Sequence, residues 1–296
     1  REAIEQAVGT ATDYRHMRLR GPFVARREGG NIVRYFPAPL DASQRDGRLQ
    51  ALVPQDKAST GIRTSVPTPL LLWDDGPRQK RTGAWWLSND NLLRYLDGEA
   101  VIATSGGSLF RRENRFGIGL DAKTKNTRHE AEGGLFYEVE FARPCQNVGL
   151  DVEVDGLDGW TATGLLRMGG EGHAGYFQPS NAVALPSPPA PLTRRFKVYF
   201  ATPTYFECGW QPATWSRFFE GTVHLVAAAV GRYESIGGFD IAADKHKAAR
   251  RYVPAGSVYY FESEEGATVR SDLINRAITD TGAEIGFGQV IIRRWN

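Results

Sequence analysis

"RFKVYFATP", residues 195–203, is the stretch from which the fold can be worked outward. Phe196, Val198 and Phe200 fall at alternate places, the period of a β-strand. Downstream, "TVHLVAAAVG" (222–231) reads as a buried apolar strand, and "RYVPAGSVYYFES" (251–263) as another with a Pro-Ala-Gly kink in its middle. "QVIIRRW" (289–295) closes as a strand. Between them, "SDLINRAITD" (271–280) carries Leu273, Ile274, Ala277 and Ile278 at helical spacing. Ser271 stands there as N-cap and Gly282 as a stop. The region Phe206 to Phe219 supplies the other helix.

That order, strand–helix–strand–strand–helix–strand, is the ferredoxin-like one, so the expected fold class is α+β. "ALPSPPAPL" (184–192) places four prolines in six positions, which forces an extended connection. It divides the chain into an N-terminal domain 1–184, a Pro-rich linker 185–193 and a C-terminal domain 194–296. In the first half, residues 1–8 read as helical and "LSNDNLLRYLDG" (87–98) as a helix capped by Ser88. A helix ending at Gly169-Gly170 and a following short strand complete a second ferredoxin-like unit. Its first strand is expected upstream of Arg1.

"RFGIGLDAKTKNTRHEAEGGLFYEVEF" (115–141) is a hairpin with an oversized tip. Phe116 to Leu120 and Leu135 to Phe141 alternate as half-buried strands do. The tip between them carries Lys123, Lys125, Arg128 and His129, with Asp121, Glu130 and Glu132. Hairpin loops usually hold about 2–5 residues, and longer ones tend to be functional or disordered. A basic-tipped ribbon can lie across a nucleic-acid backbone, releasing counterions as it does so; a solvated loop reads equally well.

With 296 residues the chain can bury roughly 75% of its unfolded surface without staples. Its hydrophobic content of 41% and charged content of 24% are those of a globular protein. The formal net charge of +2 rules out a global field for nucleic acid, so basic surface must be local. Arginine outnumbers lysine, which suits bidentate phosphate contacts and equally a high-GC genome. Cys145 and Cys208 show no ligand spacing and read as free thiols in a reducing cytosol. The longest apolar run, Val223 to Val230, is too short to cross a bilayer, and no signal peptide is visible. A cytoplasmic protein away from membranes is expected.

No spacing suggests a metal site, a nucleophile elbow, a Walker loop or paired catalytic carboxylates. No catalytic residue, metal or cofactor is expected. Of the five histidines, His224 reads as packed in a strand and His129 as a loop residue. His173, after a glycine-rich turn, is best placed to contact a ligand. "MGGEGH" (168–173) and "GAEIGFGQ" (282–289) read as turns after helices, whose backbone N–H groups can form nests for phosphate oxygens; simple chain reversal explains them as well. Ser257 in "GSVYYFE" (256–262) is free to bond a ligand.

"RGPF" (20–23), "YFPAPLD" (35–41), the 115–141 stretch, "MGGEG", "TPTYFECGW" (202–210), "IGGFD" (236–240), "VPAGSVYYFE" (253–262) and "IGFG" occur in that order. Together they resemble the third-subunit family of the Cmr complex, a type III-B CRISPR effector within the RAMP superfamily. The resemblance runs from Arg20 to the end. His173 departs from the arginine common in that family, which puts its phosphate contact in doubt, and Phe239 departs from a tryptophan. The resemblance implies two ferredoxin-like, RRM-like domains with the hairpin as a thumb and glycine-rich loops. It also implies a non-catalytic subunit that holds the repeat-derived 5′ tag of the crRNA. Partners would be the large polymerase/cyclase-like subunit and a backbone RAMP subunit, with target RNA met indirectly. The expected RNA contacts are Arg115, Lys123, Lys125, Arg128, His129, Gly169, Gly170, Glu171, Gly172, His173, Ser257, Gly286 and Gly288. The rival is an endoribonuclease of the same superfamily that processes crRNA precursor with His173 as general base.

Overall fold

The computed structural model describes residues 16–73, 84–120, 124, 126, 129–130, 133–134, 136–156, 163–168, 173–240 and 243–295. It is mostly β, 52% strand against 9% helix. Arg195–Phe200 lies inside a four-stranded antiparallel sheet, between Val258–Ser263 and Val290–Arg294, with Val223–Ala229 beyond Val258–Ser263. Counted along the chain, the spatial order is second, third, first, fourth.

Both faces of this sheet are buried, and the period of two sorts its side chains. Phe196, Val198, Phe200, Tyr259, Phe261, Val290 and Ile292 point into one apolar cluster. Tyr199, Val258, Tyr260 and Ile291 point into another, which they share with Phe23, Phe36, Leu87, Leu92 and Tyr95 of the first half. A core therefore joins the residues on either side of the Pro-rich segment. Three hydrogen bonds reinforce it: the Tyr199 hydroxyl to the Pro37 carbonyl at 2.7 Å, the Leu40 N–H to Gly256 at 2.8 Å and the Tyr260 hydroxyl to Asp41 at 2.5 Å.

The first half builds a five-stranded antiparallel sheet in the order Val148–Asp155, Arg18–Glu28, Asn31–Pro37, Trp85–Ser88, Thr104–Ser105. The helix expected around 87–98 is present as Asn89–Leu96, and the Ser88 hydroxyl accepts the Asn91 N–H. Its Leu92, Tyr95 and Leu96 enter the shared core.

Several expected elements differ. Residues 271–280 form no α-helix; only Ile274–Arg276 makes a 3₁₀ turn, with Asn275 and Arg276 at φ 55° and 52°. The Asn275 side chain bonds the carbonyls of Leu19 and Ala283, a conformation a helix forbids. Across 206–219 the described helix is again one 3₁₀ turn, Trp215–Arg217. There Phe206, Phe218 and Phe219, with Trp210 and Trp215 beside them, cover the sheet as packed loops. Residues 251–263 are two strands, because the chain leaves one pairing at Tyr252 and enters another at Val258. The helix expected before Gly169 is the strand Gly164–Met168, paired with His173–Phe177. Residues 1–8 lie outside the described residues. The proline-rich 184–192 is irregular, with Leu192 bridged to Ala267.

Candidate nucleic-acid interface

The finger is longer than its alternation suggests. Phe110–Ile118 pairs antiparallel with Phe136–Pro144 over nine positions, Phe110 opposite Pro144 and Ile118 opposite Phe136. Beyond that ladder, His129 and Glu130 pair with Gly134 and Gly133. The half-buried expectation fails here. Phe116, Ile118, Phe136 and Tyr137 are all more than half exposed, since among the described residues the two strands of this ribbon pair with each other and no third strand. Phe116 and Phe136 stack instead on each other, ring centres 5.8 Å apart.

Charge on the stem is largely internal. Arg112 meets Glu140 across the ladder at 3.2 Å, and Asn114 donates to Glu138 at 2.6 Å. Glu113 receives Arg143 across the ribbon and Arg115 beside it, so two guanidinium hydrogen bonds hold its carboxyl down to about 2. Four arginines thus stand against three glutamates in the two stem strands.

Two of the sequence-nominated residues converge at the finger. The Arg115 guanidinium lies 5.0 Å from the Phe141 ring centre, and exposed His173 meets the same ring edge-on at 5.6 Å. A guanidinium and an imidazole flanking one aromatic ring form a surface to which a phosphate and a base can bind together. Lys123, Lys125 and Arg128 lie outside the described residues, as do Gly169, Gly170, Glu171 and Gly172; of His129 only the backbone is described.

The remaining nominees sit elsewhere. Ser257 is fully buried and donates to the Pro254 carbonyl at 2.8 Å, so it offers nothing at the surface. Gly286 and Gly288 form no open nest. Gly286, at φ 97°, packs so close to Gly21 that a Cβ would overlap the Gly21 carbonyl oxygen. Its own carbonyl accepts the Thr202 hydroxyl at 2.8 Å. Gly288, at φ 70°, leaves a Cβ only 2.6 Å from the Thr279 Cβ, and its N–H binds the Pro203 carbonyl. The loop docks on the first half, where the Leu19 N–H donates to Glu284 at 2.9 Å. Glycine serves close approach of protein to protein there. His224, expected packed, is exposed on the sheet's edge strand, in a hollow with Pro69, Glu262 and Glu264.

One strongly basic element escaped the sequence reading. Lys245–Tyr252 ("KHKAARRY") pairs with Glu234–Asp240 as a separate two-stranded ribbon, and residues 245–251 are all exposed. Its signal was the charge run, because without alternating apolar residues the segment does not read as a strand.

Among the described residues, no cluster of His, Cys, Asp and Glu is arranged to hold a metal, and no helix is long and apolar enough to cross a membrane. Cys145 and Cys208 are free thiols.

A family model described as "CRISPR-associated protein (Cas_Cmr3)" matches residues 1–295. No curated protein matches the chain significantly. Among solved structures, the chain is similar to one from "Cryo-EM structure of the Type III-B Cmr-beta bound to cognate target RNA". The TM-score is 0.45 and the identity 12%, covering 82% of this chain and 64% of that one. A second similarity is to a chain of that complex with AMPPnP in state 1, with TM-score 0.45 and identity 12%, covering 87% of this chain and 76% of that one.

Proposed function

The chain belongs to the Cmr3 family of CRISPR-associated proteins, and we propose that it is a non-catalytic RNA-binding subunit of a cytoplasmic type III effector complex. It would hold the repeat-derived 5′ tag of the crRNA and cap the backbone beside the large polymerase/cyclase-like subunit. It would contact a backbone RAMP subunit and meet target RNA only through the guide. The observation that carries the reading is the family match over residues 1–295. The finger supports it physically, as a ribbon outside both apolar clusters, with Arg115 and Phe141 on its two strands and His173 reaching the Phe141 ring from a separate ribbon. Single-stranded RNA is held by stacking on such rings, at about 1–3 kcal/mol per base, together with backbone contacts.

We also infer that the second half is a ferredoxin-like, RRM-like unit whose crossover helices have been replaced by aromatic-rich loops. Its second-third-first-fourth antiparallel strand order supports that reading. A first half of the same class has less support, because its sheet places Arg18–Glu28 between Val148–Asp155 and Asn31–Pro37.

The test titrates mature guide RNA, with and without its 5′ tag, against this protein together with the large subunit at two salt concentrations. Tag-dependent, salt-sensitive binding without cleavage is the expected result. Binding indifferent to the tag would remove the capping role. Metal-independent cleavage lost in His173→Ala would replace it with the endoribonuclease reading.

A further inference from the structure

We propose that the ribbon Glu234–Asp240/Lys245–Tyr252 is a second contact surface for single-stranded RNA, separate from the finger. The proposed function supplies only the identity of the ligand; the surface itself follows from charge and geometry.

Lys245, His246, Lys247, Arg250 and Arg251 occupy one strand with no carboxylate among residues 245–251. Where the finger stem pairs Arg112, Arg115 and Arg143 with its glutamates, the register here sets Lys247 opposite Gly238 and Arg251 opposite Ser235. The acidic residues are at the ends: Glu234 opposite Tyr252, Asp240 opposite Lys245, and Asp244 in the turn. Among the described residues, no ion pair joins a base of this strand to a carboxylate. Arg250 lies over the Tyr205 ring at 5.0 Å and also places its guanidinium 3.5 Å from the Thr281 hydroxyl.

Aromatic rings are interleaved with this charge. Arg251 lies 4.7 Å from the centre of the Tyr233 ring, and Phe239 meets His246 edge-on at 5.2 Å. Tyr233 is 46% exposed and Phe239 48%, so a base can reach either ring. The base of the ribbon is anchored, since Tyr252 packs on Phe287 at 4.7 Å and on Tyr205 at 5.4 Å. Unneutralised cations select a polyanion. Exposed rings beside them select one whose bases are unpaired, because a duplex keeps its faces stacked inside.

The test uses the full chain and a labelled 20-nucleotide oligouridylate, with affinity measured across a salt series. Four proteins are compared: wild type, the triple variant Lys245→Gln, Lys247→Gln, Arg251→Gln, the variant Phe239→Ser and the finger variant Arg115→Gln. Each single-strand phosphate contact contributes about 0.7 to the slope of log K against log salt, so the triple variant should lose about 2 from it. Phe239→Ser should weaken binding several-fold with the slope intact. An unchanged slope in the triple variant overturns the inference while leaving the finger reading standing; a slope lost there but untouched by Arg115→Gln removes the finger instead. Equal affinity for a 20-base-pair DNA duplex, indifferent to Phe239→Ser, reduces the ribbon to a general polyanion patch and overturns the single-strand assignment. No binding by wild type also overturns it. Melting temperatures confirm that these exposed substitutions leave the fold intact.

Discussion

At position 286 two stretches of backbone pass closer than any side chain allows. Gly286 combines a left-handed φ with contact against Gly21, so alanine there suffers both conformational strain and a clash with a carbonyl that cannot retreat. Gly286→Ala should destabilise the protein by about 2–4 kcal/mol. Thermal unfolding should show the Tm falling by at least about 5 °C, and a smaller change would mean that the loop is not a clasp. Asp41 makes a second residue-scale case. Fully buried, it accepts hydroxyls from Tyr95 and Tyr260 near Lys197. Burial raises its pKa, overcoming those partners. The folded state therefore keeps this proton where the unfolded chain has lost it. The contribution of Asp41 is whole below the ordinary carboxylate range, near pH 3.9, and declines as pH rises through its raised value. The stability of wild type minus that of Asp41→Asn should fall across that window in denaturant titrations. A rising difference would show that the tyrosines and Lys197 favour the anion. Neither residue was legible in this role: a glycine needed for close approach looks, in sequence, like one that cradles a phosphate.

Elements were legible where one period had one cause. The strands of the central sheet are rich in apolar residues along their length because both of its faces are buried, and the helix after Ser88 carried a cap and an apolar stripe. The segment 271–280 misled because Leu273, Ala277 and Ile278 are drawn to the core one by one, not along a helical face. The finger misled differently, since alternation says that two faces differ and not that either is covered. Because it lies outside both apolar clusters, its ladder should open locally well below the global unfolding energy. Hydrogen exchange should therefore be fast for amides of Phe110–Ile118 and Phe136–Pro144 and slow for Arg195–Phe200 and Val258–Ser263. Equal protection would indicate that something covers the ribbon. Within it, the Glu113 carboxyl should titrate near 2 by carbon NMR and return toward its ordinary value in Arg143→Ala.

At the scale of the molecule, the Pro-rich segment looked like a seam, yet apolar side chains from both sides fill one cluster. Prolines fix an extended connection and say nothing about what packs over it. The whole chain should unfold in one transition, coincident by circular dichroism and tryptophan fluorescence. Residues 194–296 produced alone should fail to fold cooperatively, because Tyr199, Val258, Tyr260 and Ile291 would lose their cover. Two separated transitions, or a folded 194–296 fragment, would support two independently folding domains divided at 185–193.

The finger's length has a mechanical side. From the first to the last of its nine paired residues, at about 3.4 Å per step, the arm spans about 27 Å, stiffened by its ladder of cross-strand bonds. At its root the Cys145 N–H donates to the Leu109 carbonyl at 2.9 Å, next to the short 3₁₀ turn Gly106–Ser108. On an arm of that span, a pivot of about 5° swings the far end by about 2–3 Å, close to the difference between touching a partner and missing it. Whatever grips the tip therefore holds a lever on Leu109 and Cys145, and small torques there set where the tip can reach.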